Sequence, residues 1–209
     1  MQEMYRGFLD APFSAKLGLL TITAYLFVAL FAPLVAPYSE TEILGGAYEL
    51  WSEKYLLGTD NLGRDMLSRL IFGARNTIGI ALAAVVIAFA IGGVTGMLSA
   101  LLGGWYDTVI SRIVDILMAI PGLVFALLIL TILGTSITTL ILVIALLDST
   151  RVYRITRAAA MNIAVMDFVE VARLRGEGLW WVIRKEILPN IMAPLLAEFG
   201  LRFCFVFLF

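Results

Sequence analysis

No histidine occurs in the 209 residues, and the single cysteine, Cys204, lies inside an apolar run. Those two absences exclude Ser-His-Asp and Cys-His nucleophilic sites, a Cys/His zinc site and a disulfide within these residues. Charge is also scarce: 15% of residues are charged, and the net value of −1 leaves no basic surface for nucleic acid. No Gly-x-x-x-x-Gly-Lys-Ser/Thr loop is present, and none of Lys16, Lys54 and Lys185 follows a glycine. ATP bound through such a phosphate cradle must therefore belong to another chain. No metal and no cofactor is expected.

Hydrocarbon is what the chain has in excess, at 61% hydrophobic residues. A soluble domain could not cover that much apolar surface, so several stretches must face lipid. Residues 17–37 are apolar for the roughly 20 residues that a bilayer crossing needs, longer than the about 7–15 of a cleaved leader, and read as an uncleaved first span. Further spans are expected at 78–102, 113–133 and 137–147, with a fifth beginning at 191. The chain closes on Phe-Cys-Phe-Val-Phe-Leu-Phe without a polar flank, which suggests a membrane segment cut short and a protein that continues. The expected fold is all-α and polytopic, with four complete spans and the start of a fifth.

Local patterns refine this. Ala84, Ala88, Gly92, Gly96 and Ala100 recur every four residues and lay a small-residue stripe down one face of the second span, a packing signal. Pro121-Gly122 should kink the third span. Asp115 stands three residues from Arg112, the spacing of a helix-face ion pair, and Glu198 with Arg202 has the i, i+4 spacing of an intramembrane pair that neutralises itself. Trp105 suits the membrane interface.

Two polar stretches interrupt the spans. Residues 38–76 hold Glu40, Glu42, Glu49, Glu53, Asp60 and Asp65 against Lys54, Arg64, Arg69 and Arg75. Residues 60–65 read as an Asx-type turn leading into a helix. Leu62 stands where a calcium loop of the EF-hand type needs an oxygen ligand, so that reading is set aside. Residues 150–190 carry Arg151, Arg154, Arg157, Arg173, Arg175, Arg184 and Lys185, an excess that places this loop in the cytoplasm and, counting back through four spans, the N-terminus there too. Within it a first helix should end at Gly176, a second should run over 179–185, and Pro189 should open the next apolar helix.

Glu170, Ala172, Gly176, Ile187, Leu188 and Pro189 are spaced as in the EAA loop of bacterial ABC importer permeases, which this segment resembles. Val171 replaces the usual second alanine, and Glu186 stands where the peptide branch often has a basic residue or histidine. Gly58, Thr59, Asp60, Gly63, Arg64, Asp65, Ser68, Arg69, Gly73 and Arg75 resemble a signature of the dipeptide/oligopeptide/nickel branch, as do Arg112, Asp115 and Pro121. The resemblance implies a type I importer fold of six membrane helices. Residues 1–76 would form an N-terminal segment with an extracytoplasmic loop, and 77–209 the permease domain. It also implies coupling to separate ABC ATPase subunits through residues 170–189, a second homologous permease, an extracytoplasmic solute-binding protein and membrane lipid as partners, and the bacterial inner membrane as location. The chain itself would be a transport subunit and no enzyme. An ion-coupled secondary transporter is the alternative, with Glu198 and Arg202 as its only candidate ionisable pair.

Overall fold

A computed structural model of the chain describes residues 12–207. Arg6, in the N-terminal polar segment, and Leu208 and Phe209, at the end of the last apolar run, lie outside the described residues. Among the described residues the elements are helical and no strand occurs; Thr59 and Asp65 form one isolated bridge. The chain divides into two compact units, which part at Gly79 and Ile80 inside a long helix.

The first unit opens with α1 (Phe13–Leu30) and the single turn α2 (Ala32–Val35). Pro33 separates them, because its nitrogen has no hydrogen to give the preceding turn. Along α1 nearly every apolar side chain is exposed and only Ala29 is buried, the pattern of a helix whose solvent is lipid. Residues 36–65 form a hydrogen-bonded loop. It ends on Asp65, whose carboxylate accepts from the Ser68 N–H at 2.8 Å and the Ser68 hydroxyl at 2.7 Å, capping α3 (Met66–Leu102). The helix therefore starts well before residue 78, and the second half of the polar signature is helical. At 37 residues α3 is about 55 Å long, against about 30 Å of hydrocarbon.

The second unit contains the rest of α3, α4 (Gly104–Ala119), α5 (Gly122–Leu133), α6 (Ile137–Ala164), α7 (Asp167–Leu174) and α8 (Leu179–Val206). The expected kink at Pro121 is a bend of 88° between α4 and α5, a broken span or a re-entrant pair. The segment expected as a short fourth span, 137–147, lies within a 28-residue helix, capped at its start by the Ser136 hydroxyl accepting from the Thr139 N–H and running on through Asp148, Arg151, Arg154 and Arg157. Among the described residues three helices, α1, α3 and α8, are long and apolar enough to cross a membrane, or four crossings result if the bent pair counts as one.

Close approach of α3 and α6 organises this unit. Ala84 and Ala88 are wholly buried, and a Cβ on Gly92 would strike the Ser149 carbonyl and come within 2.9 Å of the Tyr153 nitrogen. A Cβ on Gly96 would lie 2.9 Å from the Tyr153 carbonyl oxygen. The stripe thus lets one backbone lie directly on another. Beside it, Ala81, Ala84, Val85, Ile144 and Val206 form one core, with Phe89 and Phe199 edge to face at 5.2 Å.

Replacing Gly92 with Leu should separate the two helices at a cost of about 1–3 kcal/mol or more, read as a lower midpoint of thermal unfolding in detergent. Gly93→Ala, which projects into open space, should leave the midpoint nearly unchanged.

Candidate functional site

Residues 167–189 fold as a helix, a turn and a second helix laid over the ends of α3 and α6. Asp167 and Glu170 occupy the first turn of α7 and Arg173 the last, the charge order that its peptide dipoles favour. The turn after α7 is closed by two bonds: the Gly176 N–H donates to the Arg173 carbonyl at 2.9 Å, and the Glu177 N–H to the Ala172 carbonyl at 3.2 Å. Gly176 has φ of 82°, where a side chain would strain the backbone.

The six loop positions divide by burial. Ala172 and Ile187 are fully buried in a cluster with Met97, Ala160, Val169, Val182, Ile183, Ile191 and Leu195. Leu188 is half-buried, while Glu170, Gly176 and Pro189 are exposed. The buried face of α7 is thus Val169 with Ala172, while Val165 and Phe168 are exposed. Arg173 reaches back toward the Leu101 carbonyl at 3.4 Å, and the Arg175 guanidinium lies 6.0 Å from the Trp181 ring.

Pro189 stands in the first turn of the apolar helix Leu188–Val206, as its spacing predicts, but no break separates that helix from the one before it. The backbone passes from α-helical Leu179–Val182 through a π-turn, Ile183–Ile187, into Leu188–Val206 as one continuous helix, and the Leu188 N–H bonds the Ile183 carbonyl. Pro189 has no N–H to offer the preceding turn, and the wider turn accommodates this. The Asn190 side-chain amide donates to the Glu186 carbonyl at 2.6 Å.

The other polar stretch, residues 38–76, is built on Asp60. Its carboxylate accepts from the N–H groups of Leu62 and Arg64 at 2.8 and 3.0 Å, from Arg64 Nε at 2.9 Å and from Arg69 Nη1 at 2.5 Å. Gly58 accepts from the Met66 N–H, and the Gly63 carbonyl accepts from Leu44 and Gly45, so these signature residues join into one network. Arg75 lies exposed on α3, apart from it. Burial alone would raise the Asp60 carboxyl. The Arg64 and Leu62 N–H groups and the two guanidiniums outweigh it, holding the group well below its ordinary 3.8.

Charges inside the second unit are paired both along helices and between them. Arg202 Nε lies 2.6 Å from Glu198 Oε1, as the spacing predicts, although the two are not aligned as a hydrogen bond. Asp148 joins them, 3.7 Å from Arg202 and 3.5 Å from Arg151. Asp115 pairs with Arg154 of α6 at 2.6 Å instead of with Arg112, because the long Arg154 side chain crosses between helices. Arg157 grips Asp107 through two bonds of 2.5 Å, and the Tyr153 hydroxyl meets Ser99 at 3.0 Å and Ser111 at 2.8 Å. These residues flank a cavity of about 300 Å³ lined by Ser111, Val114, Asp115, Tyr153, Arg154 and Arg157. Sequence reasoning missed Asp148, Asp107 and Tyr153; the available signal was an acid or phenol bordering an apolar run.

These features define a helical membrane protein whose spans flank a polar loop packed on the helix ends. Residues 92–209 match the family described as binding-protein-dependent transport system inner membrane component, and the chain belongs to that family. Relatives include the dipeptide transport system permease protein DppC of Haemophilus influenzae, 37% identical over 191 residues, 88% of this chain and 65% of that protein. The di/tripeptide transport system permease protein DppC of Pseudomonas aeruginosa is 39% identical over 193 residues, 89% of this chain and 64% of its own. The glutathione transport system permease protein GsiD of Pectobacterium atrosepticum is 27% identical over 205 residues, 96% and 67% of the two lengths. The chain thus spans 64–65% of the length of those two DppC relatives.

Because the folded Asp60 carboxyl is held low, its contribution to the loop is complete above about pH 4 and is lost as pH falls further toward the folded value. Pepsin cleavage of residues 38–65 in the purified protein should therefore accelerate below about pH 4, and Asp60→Asn should be cut readily without that step.

Proposed function

We propose that this chain is a permease subunit of an ATP-driven ABC importer, moving peptides or a related small solute across the bacterial inner membrane. The observation that carries the reading is the construction of residues 167–189. A short helix buries Ala172 and Val169 in the core that also holds Met97 of α3, Ala160 of α6 and Ile187 of α8, yet leaves Glu170 and Gly176 at the surface. A protein pressing on that surface moves three helices at once, since packed helices shift as rigid bodies. The partners would be cytoplasmic ABC ATPase subunits, a second homologous permease and an extracytoplasmic solute-binding protein, with lipid around the spans. The N-terminus is cytoplasmic, and six membrane helices make up the whole permease. Peptide substrates are favoured by the names of the DppC relatives.

A second reading draws on the buried Asp148, Glu198 and Arg202 cluster, because an ion-coupled secondary transporter needs ionisable groups within the membrane. One comparison separates the two. The full-length protein is purified from solubilised membranes beside a variant substituted at both Glu170 and Gly176. Under the importer reading an ATPase accompanies wild type and is lost from the variant. Absence of ATPase from both, with uptake that follows an ion gradient, turns the assignment to the secondary transporter.

Gly176→Val should lower dipeptide uptake roughly tenfold or more with membrane insertion intact, because a β-branched side chain cannot hold the left-handed turn. Uptake at the wild-type rate would defeat the coupling assignment.

A further inference from the structure

The loop of residues 36–65 combines tight internal bonding with an unusually apolar exterior. Leu50 and Trp51 are 83% and 81% exposed, and Ile43, Tyr48, Leu56 and Leu57 are exposed as well. Folding does not leave these side chains outside for want of order. Tyr48 is held at φ of 57°, a left-handed conformation costly for a residue with a side chain. It persists because the Tyr48 N–H donates to the Asp60 carbonyl and the adjacent Glu49 N–H to the Thr59 hydroxyl.

The loop also sits low on its helices. Ala24, Tyr25 and Val28 of α1 share one cleft with Leu70, Ile71 and Ala74 of α3, so the first turns of α3 run alongside the apolar body of α1 and raise no stalk above it. Tyr38, three residues after α2, donates its N–H to the Ser68 hydroxyl and its phenol to the Lys54 carbonyl, with its ring 6.2 Å from that of Tyr55. Gly58 is bonded directly to Met66 at the start of α3. Residues 51–58 are therefore tied down to the ends of both helices. Leu30, Phe31 and Leu34, at the end of the first span, are exposed and apolar as well.

We propose that this loop is a membrane-interface anchor, with Trp51, Leu50, Leu56 and Leu57 seated among the headgroups of a zwitterionic phospholipid surface. Indole and phenol rings favour that depth, where the ring is apolar and its polar edge stays wet. Glu40, Glu42, Glu49 and Glu53 against Lys54 make residues 40–57 acidic, so anionic headgroups are disfavoured and zwitterionic ones fit. An anchored loop fixes how far α1 and α3 stand out of the bilayer, independently of any transport partner.

The test places the 209-residue chain in phosphatidylcholine nanodiscs with Trp105, Trp180 and Trp181 replaced by Phe, leaving Trp51 as the only indole of these residues. The expected result is blue-shifted emission, quenched about two-fold by lipid brominated near the top of its acyl chains and less by lipid brominated deep in the bilayer. Adding anionic lipid should not increase the quenching. Emission at the wavelength of indole in water, quenched by iodide and untouched by brominated lipid, overturns the anchor. So does emission that shifts only when a solute-binding protein is added, which would make a protein the occupant. Should the triple-Phe protein fail to insert, Trp51→Cys in a Cys204→Ser background, labelled with a polarity-sensitive fluorophore, reads the same depth. Lipid contact is decided whether or not the chain couples to an ATPase.

Discussion

Everything in the second unit depends on how closely α3 and α6 approach. With Gly92 and Gly96 against the backbone from Ser149 to Tyr153, side chains farther along meet at short range. Tyr153 reaches Ser99, and Arg157 reaches Asp107 at the start of α4, only because the helix carrying them lies this near. In lipid there is little hydrophobic gain from pairing two apolar helices, so dispersion and buried hydrogen bonds must hold them. Small residues make both available.

The helix α6 explains how charge is carried through such surroundings. Asp148, Arg151, Arg154 and Arg157 lie along it, and each has an oppositely charged neighbour. Asp115 and Asp107 come from α4, while Arg202 comes from α8. Moving α4 outward would strip Arg154 and Arg157 of their partners, and moving α8 would take Arg202 from the buried Asp148, where a lost partner costs several kcal/mol rather than the fraction seen at a wet surface. The ion pairs therefore specify which helix lies beside which.

Much of this was legible in the sequence. The small-residue stripe at positions 84–100, the left-handed Gly176 and the Glu198–Arg202 pair follow from spacing alone, because each is a short-range rule on one helix. Partners across helices were not legible. Arg112 is nearer Asp115 in sequence, but Arg154 reaches it in space, and periodicity carries no information about which neighbour a long side chain will choose. Span ends failed for a related reason. Hydropathy follows side chains, whereas a helix continues as long as its backbone bonds are satisfied, so α3 begins at Met66 and α6 persists past four charges. At residues 170–189 the packing of Ala172 and Ile187 could be guessed from their type, but the absence of a break at Pro189 could not.

The wide turn at Ile183–Ile187 sets an angular phase. An α-helix advances about 100° per residue, so the one residue that a π-turn adds rotates everything beyond it by that amount relative to a regular helix. Val182 and Ile183 on one arm and Ile191 and Leu195 on the other all reach the same buried cluster because of that offset. It also decides that Glu198 and Arg202 turn inward toward Asp148 and not outward to hydrocarbon. A stretch of five residues next to the polar loop thus acts as the clocking joint of α8, and the cluster of Asp148, Glu198 and Arg202 is oriented from the loop end of that helix.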